Sequence, residues 1–343
     1  MRAVVAHGPG DFRFEEGHEP ARDAGAVIDV EAAGVCAADR MIWRGDGPWA
    51  LEFPFTPGHE ILGRVSWIDD PSAERWGVGP GDRVTAEVMV PCRRCRACRA
   101  GRENLCRSGT HLGSGLPGAF AERMALPPGA VVHQLPLALD AAAAALVEPA
   151  ACATHAVRRA TVEPGDAVAV AGIGAIGACA LGALGGRARH VVAVVTSAAR
   201  AELARHLGAD AAVDLSAVPP GTAAATVAEA SGGDGPDVFI DCSGSTDAVS
   251  LGLEVVAPGG RVVLDGVYRR RADVDLNTVA EHKELDVRGA HLAPGAFPEA
   301  IELLRTGAID AHAIVTHRHP LDGVVAAVEA MPGGGRLKAI LVP

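Results

Sequence analysis

Residues 167–184 read AVAVAGIGAIGACALGAL, and this stretch decides the fold of the second half of the chain. Its glycines follow the pattern G-x-G-x-x-G at Gly172, Gly174 and Gly177, with Ile176 inside the pattern. An apolar run precedes the pattern and small residues follow it, which predicts a strand, a tight turn and a helix. The first glycine makes the turn, the second lets a pyrophosphate approach the backbone, and the third lets helix and strand pack closely. Because the helix N-terminus offers N–H donors and a partial positive charge, we predict a dinucleotide site here.

The sequence from Asp166 onward alternates between strand and helix patterns, which is typical of a parallel sheet with helices on both faces. The strand after the glycine-rich turn ends in Val195, Thr196 and Ser197, without the carboxylate that binds the ribose hydroxyls of NAD. A 2′-phosphate is therefore not repelled, and Thr196, Ser197 and Arg200 can hold it by charge-assisted hydrogen bonds. This favours NADP(H) over NAD(H), although Arg200 is equally consistent with a solvated residue in the first turn of a helix.

The chain from Met1 to Leu126 contains short runs rich in Val and Ile, bounded by Gly, Pro and Asp. These runs predict a mostly β region. An Ala-rich stretch from Pro136 predicts a helix that leads into the next domain. The residues from His291 onward predict one amphipathic helix, a short strand, a second helix and a closing apolar segment.

Four cysteines crowd into one loop with the spacing C-x2-C-x2-C-x7-C, namely Cys92, Cys95, Cys98 and Cys106. Their thiolates can converge on one ion, and a tetrahedral Zn²⁺ with four sulfur ligands leaves no position for a substrate. The spacing therefore predicts a structural zinc site. Disulfides and an iron–sulfur cluster are the alternatives that the residues themselves leave open.

A second set of potential metal ligands is dispersed along the chain: Cys36, His59 and Glu60 in PGHE, and Glu148 in VEPA. Each stands at the end of an apolar segment, where the side chains can converge. A thiolate, an imidazole and a carboxylate around one zinc would leave a position open, as catalytic sites do. By residue type alone, the more common explanation is a buried Cys that acts as a small hydrophobe and a hydrogen-bonded core His.

The charge balance and the hydropathy limit the partners of the protein. The 31 basic and 42 acidic residues give a net charge of −11, which disfavours a nucleic acid. No stretch stays apolar over the roughly 18 residues that cross a bilayer, and the first residues lack the apolar core of a signal peptide. We therefore expect a cytoplasmic protein without a membrane or nucleic-acid partner.

In combination, these motifs resemble those of the zinc-dependent medium-chain dehydrogenase/reductase family, which includes alcohol, sorbitol and threonine dehydrogenases. Cys36, PGHE, the four-cysteine loop, EPA, the glycine-rich turn and DCSGS at 241–245 occur in the family's order over essentially the whole chain. The resemblance implies an α/β fold with a GroES-like, mostly β catalytic domain over residues 1–150, completed by residues 291–343. It implies a Rossmann domain with a doubly wound parallel sheet over residues 151–290, and an active site in the cleft between the two domains.

The resemblance also implies roles for individual side chains. The catalytic zinc ligands of the family correspond to Cys36, His59 and Glu60, with Glu148 as a further ligand or as the partner of a zinc-bound water. Asp39 corresponds to the residue that orients the zinc-binding His59. Glu148 is similar to the sorbitol and threonine branch, which implies NAD(P)-dependent oxidation of a secondary alcohol such as a polyol, sugar alcohol or cyclitol. The family also implies a homo-dimer or homo-tetramer.

The stretch after Cys36 departs from the family pattern. Family members usually carry a hydroxyl residue before the Asp and a His two positions after it, but this chain has Ala38 and Met41, neither of which can carry a proton. We expect Glu148 or Glu60 acting through a bound water, or a hydroxyl of the substrate, to release the proton instead. The departure leaves open a step without net redox change, such as epimerisation or elimination. A non-catalytic nucleotide-binding module is a third possibility.

The loop after this stretch contains two of the chain's four tryptophans, Trp43 and Trp49. Their rings can line a cleft for a polar substrate. Large aromatic residues after a turn also serve as plain packing, and the sequence favours neither role over the other.

Overall fold

The computed structural model describes residues 1–17, 19–20, 25–330 and 337–343. The chain forms two compact units. The first unit consists of Met1–Ala151, Leu292–Arg305 and Ala311–Pro343, and the second of Cys152–His291 and Thr306–Asp310.

The strands of the first unit come mainly from the Val- and Ile-rich runs of the first part of the chain, and those of the second unit from the alternating region. In chain order, the strands are β1 (Arg2–Gly8), β2 (Asp11–Glu16), β3 (Ala26–Val35), β4 (Glu60–Ile68), β5 (Arg83–Ala86), β6 (Met89–Val90), β7 (Thr110–His111), β8 (Arg123–Leu126), β9 (Val132–Gln134), β10 (Ala167–Ala171), β11 (His190–Val195), β12 (Ala211–Asp214), β13 (Val238–Asp241), β14 (Arg261–Leu264), β15 (Asp286–Gly289), β16 (Val315–Pro320) and β17 (Lys338–Val342). The predicted strands in both regions are thereby confirmed.

The helices begin at recognisable caps where the sequence supplies one, as at Asp140, whose side chain accepts hydrogen bonds from the N–H groups of Ala142 and Ala143. In chain order, the α-helices are α1 (Ala37–Arg44), α2 (Asp70–Trp76), α3 (Arg96–Arg99), α4 (Ala141–Ala145), α5 (Val147–Ala160), α6 (Ala175–Leu184), α7 (Ala198–His206), α8 (Ala223–Ala230), α9 (Thr246–Val255), α10 (Phe297–Arg305), α11 (Ala311–Ile314) and α12 (Val324–Glu329). Single turns of 3-10 helix cover Glu103–Leu105 and Leu321–Gly323, and a π-helical turn covers Thr278–His282. No helix in the described part of the chain is both long and apolar enough to cross a membrane.

The first unit is built on a sheet with the order β16-β17-β3-β4-β5-β9, in which β8 also pairs with β3. The antiparallel pair β3 and β4 places Gly34 opposite Glu60, and β17 places Ile340 opposite the same Gly34. Three neighbouring strands from distant parts of the sequence, β17, β3 and β4, therefore meet around Gly34. Apolar side chains such as Ile28, Phe120 and Leu126 form the core of this unit.

The second unit contains a six-stranded parallel sheet with the order β12-β11-β10-β13-β14-β15. The first strand of the unit, β10, lies in the middle, and the order reverses between β10 and β13. This is the doubly wound order of a dinucleotide-binding fold, in which ligands bind beyond the carboxyl ends of the strands at the reversal. The predicted α/β class, with a GroES-like unit and a Rossmann unit, is confirmed.

The segment 306–310 corrects the expected domain limits, because it belongs to the second unit and not to the first. It packs on α6, where Gly182 has no side chain. A Cβ at this position would lie 2.5 Å from the carbonyl oxygen of Ala308 and 2.8 Å from the side chain of Ile309. The close approach of backbone to helix requires glycine, and it ties the segment to the Rossmann unit.

Candidate functional site

Cys36, His59 and Glu60 converge where β3 ends and β4 begins, in the sheet of the first unit. Each offers one potential ligand atom, and these atoms all lie within 4.8 Å of one another. Cys36 directly follows β3 and Glu60 begins β4, so the antiparallel pairing of the two strands brings them together. A thiolate, an imidazole and a carboxylate form a donor set that suits Zn²⁺.

Asp39 lies beside Cys36 and His59. Its Oδ2 accepts a hydrogen bond of 2.8 Å from the backbone N–H of Cys36, and its Oδ1 lies 3.9 Å from Nδ1 of His59. Asp39 is completely buried, and burial raises its pKa although the charge of His59 opposes this. The separation between Oδ1 of Asp39 and Nδ1 of His59 is too long for a direct hydrogen bond, and Oδ1 has no hydrogen-bond partner among the described residues.

The pKa of His59 lies well above its ordinary value. Burial by itself lowers this pKa, but the Cys36 thiolate and the carboxylates of Asp39 and Glu148 outweigh it. The surroundings of His59 are therefore strongly negative. A cation at this position would meet favourable electrostatics.

Lys338 is a site residue that the sequence reasoning missed. Its ammonium group donates to the carbonyl oxygen of Val35 at 3.0 Å and to Oε1 of Glu60. Both members of the Lys338–Glu60 pair are almost fully buried, with side chains 2% and 1% exposed. The lysine at the start of the apolar segment KAILVP could have indicated this role, because an ammonium group that is buried with such a segment requires a hydrogen-bonding or charged partner.

The environment of the second carboxylate oxygen of Glu60 shows whether these residues fit a metal ion. Oε2 is buried and has no hydrogen-bond partner among the described residues. An unsatisfied buried carboxylate oxygen is costly unless a cation or a donor completes it. A metal ion between this oxygen, Cys36 and His59 would remove that cost, so the residues fit a zinc ion.

Glu148, in the first turn of α5, is buried but does not belong to the three-residue ligand group among the described residues. Its charge nevertheless raises the pKa of His59 and of Lys338. The carboxylate therefore stands near the cluster.

The four-cysteine loop forms a second cluster, with ligand atoms within 4.8 Å of one another. The sulfur of Cys95 lies 3.5 Å from that of Cys98 and 3.9 Å from that of Cys106. These separations exclude S–S bonds of about 2 Å. They agree with the distance of about 3.8 Å between sulfurs that each bind a tetrahedral zinc at about 2.3 Å.

The protonation of the cysteines points the same way. A hydrogen bond from the backbone N–H of Cys98 is the main cause that lowers the pKa of Cys95 to about 6, which favours its thiolate. Burial raises the pKa of Cys98 to about 12. A zinc ion bound by the four sulfurs would favour the thiolate form of each cysteine.

The glycine-rich turn lies at the carboxyl end of β10, in the second unit. Gly172 has a φ of +84°, and a Cβ there would lie 2.5 Å from Ser243. Gly177 is buried, and its Cβ would lie 2.1 Å from the carbonyl oxygen of Gly172. At Gly174, by contrast, a Cβ would meet no protein atom within 4 Å, so this position faces open space at the start of α6. The turn fits a dinucleotide whose pyrophosphate occupies that space.

The other expected cofactor residues lie at the same end of the sheet. Ile176 is half-buried in the first turn of α6, and Thr196 is exposed just after β11. The hydroxyl of Ser197 caps α7 by accepting from the N–H of Arg200 at 3.4 Å. Arg200 is partly buried, and burial lowers its pKa.

Asp241, at the end of β13, organises the neighbouring loops and was not singled out from the sequence. Its Oδ1 accepts from the N–H and the hydroxyl of Ser243 at 3.0 and 2.5 Å. Its Oδ2 accepts from the N–H of Gly244 at 3.3 Å and from the hydroxyl of Tyr268 at 2.5 Å. Burial and this hydrogen bond raise the pKa of Tyr268. The carboxylate thus ties together the loops that follow β13 and β14.

Trp43 and Trp49 have different surroundings in the structure. Trp43 packs against the core, with its ring centroid 5.2 Å from that of Phe12, whereas Trp49 is 42% exposed. Ala38 and Met41 lie on α1 directly after Cys36. Neither provides a group that could carry a proton away from the cluster.

Comparisons with known proteins identify the family of this chain. The alcohol dehydrogenase GroES-like domain family matches residues 22–137, and the zinc-binding dehydrogenase family matches residues 172–306. The chain is 38% identical to an erythritol/L-threitol dehydrogenase of Mycolicibacterium smegmatis, covering 100% of this chain and 98% of that protein. It is 30% identical to a sorbitol dehydrogenase of Halalkalibacterium halodurans, covering 100% and 99% of the two chains.

A solved structure has the same fold over its whole length. It is a zinc-binding dehydrogenase from Sinorhizobium meliloti 1021 bound to NADP, with a TM-score of 0.88 and 30% identity, covering 100% of this chain and 99% of that one. The two family matches together span most of the chain. This protein therefore belongs to the zinc-dependent medium-chain alcohol dehydrogenase family, in the branch of the polyol dehydrogenases, and is an NAD(P)-linked oxidoreductase.

Proposed function

We propose that this enzyme oxidises a secondary hydroxyl of a small polyol to a ketone, and catalyses the reverse reduction, with NADP(H) as the preferred cofactor. The observation that carries the proposal is the convergence of Cys36, His59 and Glu60 on one point. The substrate class is supported by the 38% identity to a dehydrogenase of erythritol and threitol over the whole chain. A cyclitol is a further candidate of the same chemistry.

Two zinc sites per chain form part of the proposal. Cys36, His59 and Glu60 would hold a catalytic ion, while the four cysteines between Cys92 and Cys106 would hold a structural one. When bound, the zinc polarises the alcohol oxygen and lowers its pKa, and the nicotinamide accepts the hydride.

The chain's own residues prepare this reaction. Asp39 accepts a hydrogen bond from the backbone of Cys36 and lies close to the ring of His59, and Lys338 holds one oxygen of Glu60. These contacts preorganise the donor atoms, so little reorganisation is needed when the substrate binds. Glu148 adds a negative charge beside the cluster, where it can orient a water or a substrate hydroxyl.

The preference for NADP(H) has a separate basis. No carboxylate follows β11, where Thr196 and Ser197 stand, so nothing there repels a 2′-phosphate. Arg200 lies in the first turn of α7 and carries a positive charge that could bind a phosphate. The relative solved with NADP supports the same choice.

A substrate panel tests the activity. We expect the purified, zinc-loaded protein to reduce NADP⁺ with erythritol, threitol or related polyols faster than with simple apolar alcohols, and more efficiently than it reduces NAD⁺. The readout is the absorbance of the reduced nicotinamide. Conversion of a polyol without any change in this absorbance would instead establish epimerisation or elimination, and binding of NADP⁺ without conversion of any substrate would establish a binding module.

Metal analysis tests the sites. Wild type should contain two zinc ions per chain, Cys36→Ser one ion and no activity, and Cys95→Ser one ion with the catalytic site still loaded. Because the two variants remove the same chemical group from different clusters, each is the control for the other. If Cys36→Ser lost its activity but still contained two zinc ions per chain, the assignment of Cys36 as a zinc ligand would be wrong.

A further inference from the structure

Asp241 ends β13 and lies in the interior of the second unit, with no exposed surface. Among the described residues, its carboxylate accepts hydrogen bonds from the N–H and the hydroxyl of Ser243, the N–H of Gly244 and the hydroxyl of Tyr268. A buried carboxylate is tolerated when donors satisfy its oxygens, and hydrogen bonds to a charged group are strong. Ser243 and Gly244 belong to the loop after β13, and Tyr268 to the loop after β14. One buried charge therefore holds two loops at the carboxyl end of the sheet.

Ser243 lies directly against the glycine-rich turn. A Cβ on Gly172 would come within 2.5 Å of the Cβ and 2.6 Å of the Cα of Ser243, so the two residues fit only because position 172 has no side chain. The hydroxyl of Ser243 donates to Asp241 and accepts from the N–H of Ser245, the residue that precedes α9. Asp241 thus fixes the residue on which the turn at Gly172 packs.

The loop after β14 packs on the loop after β13 through backbone atoms. A Cβ on Gly266 would lie 2.4 Å from the nitrogen of Gly244 and 2.9 Å from Oδ2 of Asp241. A Cβ on Gly244, where φ is +66°, would lie 2.7 Å from the carbonyl oxygen of Val267. The hydroxyl of Tyr268 completes this contact, at 2.5 Å from Oδ2 of Asp241. The two loops are therefore held together without an intervening side chain.

These contacts lie where the strand order of the sheet reverses. β10 and β13 are neighbours in the sheet, although β11 and β12 separate them in sequence. A sheet of this kind binds a dinucleotide across the carboxyl ends of its strands at the reversal, with one mononucleotide on each half. The half with β10, β11 and β12 carries the glycine-rich turn, which is the end for the adenosine half of the cofactor. The loops held by Asp241 follow the first two strands of the other half, which is left for the nicotinamide.

We propose that Asp241 and Tyr268 are positioning residues for the nicotinamide half of the cofactor. Their hydrogen bond holds loops 242–245 and 265–268 in the arrangement that binds this half, and Ser243 ties the arrangement to the glycine-rich turn. Asp241 acts without touching the cofactor, because it is completely buried. Since NADH and NADPH share the nicotinamide half, the same effect is expected for both. It does not depend on the proposed polyol activity or on the proposed preference for NADP(H).

Tyr268→Phe tests the assignment by removing a single hydroxyl group. A protein whose loops adopt the binding arrangement in about a tenth of the molecules binds with about a tenth of the affinity. The loss of one hydrogen bond to a charged group is large enough for such a shift. We therefore expect the Kd for NADPH and for NADH, measured by fluorescence titration, to rise about tenfold. Asp241→Asn should raise both Kd values further, because its amide NH2 replaces an acceptor that faces N–H and O–H donors.

Fragments of the cofactor show which half is affected. ADP and 2′,5′-ADP carry only the adenosine half, and calorimetric titration measures their binding directly. Their affinities for Tyr268→Phe should equal those for wild type, because the glycine-rich turn and the loop after β11 remain unchanged. A weaker affinity for the complete cofactors alone assigns the effect to the nicotinamide half.

Asp166 provides the matched control, because it holds the opposite ends of two strands of the same sheet. It directly precedes β10, and its Oδ2 lies 2.6 Å from the guanidinium of Arg261, the first residue of β14. Like Asp241, it is buried and also accepts a backbone N–H, that of Glu163 at 2.8 Å. Asp166→Asn should destabilise the second unit but leave the Kd for NADPH and NADH as in wild type.

Hydrogen exchange separates positioning from general loosening. In Tyr268→Phe without cofactor, the amides of 242–245 and 265–268 should exchange faster than in wild type, while those of β10 and β13 keep their protection. Saturating NADPH should restore much of the protection in the loops, because the bound cofactor selects the same arrangement. In steady-state kinetics, KM for the cofactor should rise while kcat at saturating cofactor stays near that of wild type.

Several results would overturn the assignment. One is an unchanged Kd for both nicotinamide cofactors in Tyr268→Phe; another is an equal rise in Kd for the adenosine fragments, which would show that the whole site loosens. A rise of the same size in Asp166→Asn would show that lost stability is sufficient. If Asp241→Asn fails to fold, Tyr268→Phe carries the test alone. A wild-type protein that oxidises no polyol would refute the proposed function, but these binding measurements would still decide the role of Asp241 and Tyr268.

Discussion

Replacement of Lys338 by Met probes the buried pair that holds Glu60. The side chain of Lys338 is almost fully buried between Val35 and Glu60, and Met fills a similar volume without the charge. The substitution leaves the carboxylate of Glu60 buried without its cation. Breaking a buried ion pair in this way costs about 3–5 kcal/mol, because the remaining charge is uncompensated.

The magnitude depends on the metal. In protein stripped of zinc by a chelator, we expect the free energy of unfolding of Lys338→Met to fall by about 3–5 kcal/mol relative to wild type. In zinc-loaded protein the loss should be smaller, because an ion bound by Glu60 offsets the same charge. The double variant Glu60→Gln/Lys338→Met should recover much of the loss, since no buried charge then remains.

Urea unfolding followed by tryptophan fluorescence measures these differences in the relevant unit, because all four tryptophans lie between residues 43 and 76. Arg305→Met is the control: its partner Glu302 lies at 2.6 Å, but both side chains are more than half exposed. An exposed pair of this kind contributes little to stability, because water screens both charges. If zinc-free Lys338→Met lost as little as Arg305→Met, the account of Glu60 as a buried, charge-compensated carboxylate would be wrong.

Three further predictions concern the second unit. Tyr268→Phe should lower the free energy of unfolding by about 1.5–3 kcal/mol in thermal or urea denaturation, because the carboxylate of Asp241 loses a donor. Burial of His155, and next the charges of two nearby arginines, lower its pKa to about 4. As the pH falls from 6.5 toward 4, the histidine therefore binds a proton in the unfolded state but not in the folded state. The free energy of unfolding should therefore decline over that range, by less than the full pKa shift implies because solvent screens the partly exposed ring, and His155→Gln should show a shallower decline when unfolding is measured at each pH. Gly174→Ala should weaken NADPH binding in a fluorescence titration with little loss of stability, because a Cβ at this position meets no protein atom. Gly177→Ala should destabilise the second unit, because a Cβ there collides with the backbone of Gly172.

The sequence was sufficient to predict those sites whose residues lie close together along the chain. The four cysteines lie within fifteen residues, and the glycine pattern spans six, so local geometry brings each group together. Strands were likewise predictable from short apolar runs bounded by turn residues, because side-chain burial follows the pleat. These predictions concern interactions over a few residues, where chain connectivity leaves few alternatives.

The pairing of distant residues was decided only by the tertiary structure. Lys338 reaches Glu60 across 278 positions of sequence because β17 and β4 both pair with β3. Glu87 meets His133 through the register of β5 and β9, which no local pattern specifies. Sequence alone therefore determined the class of chemistry and its principal metal and nucleotide motifs. The supporting charges of the site depend on strand register, which the packing of the whole sheet fixes.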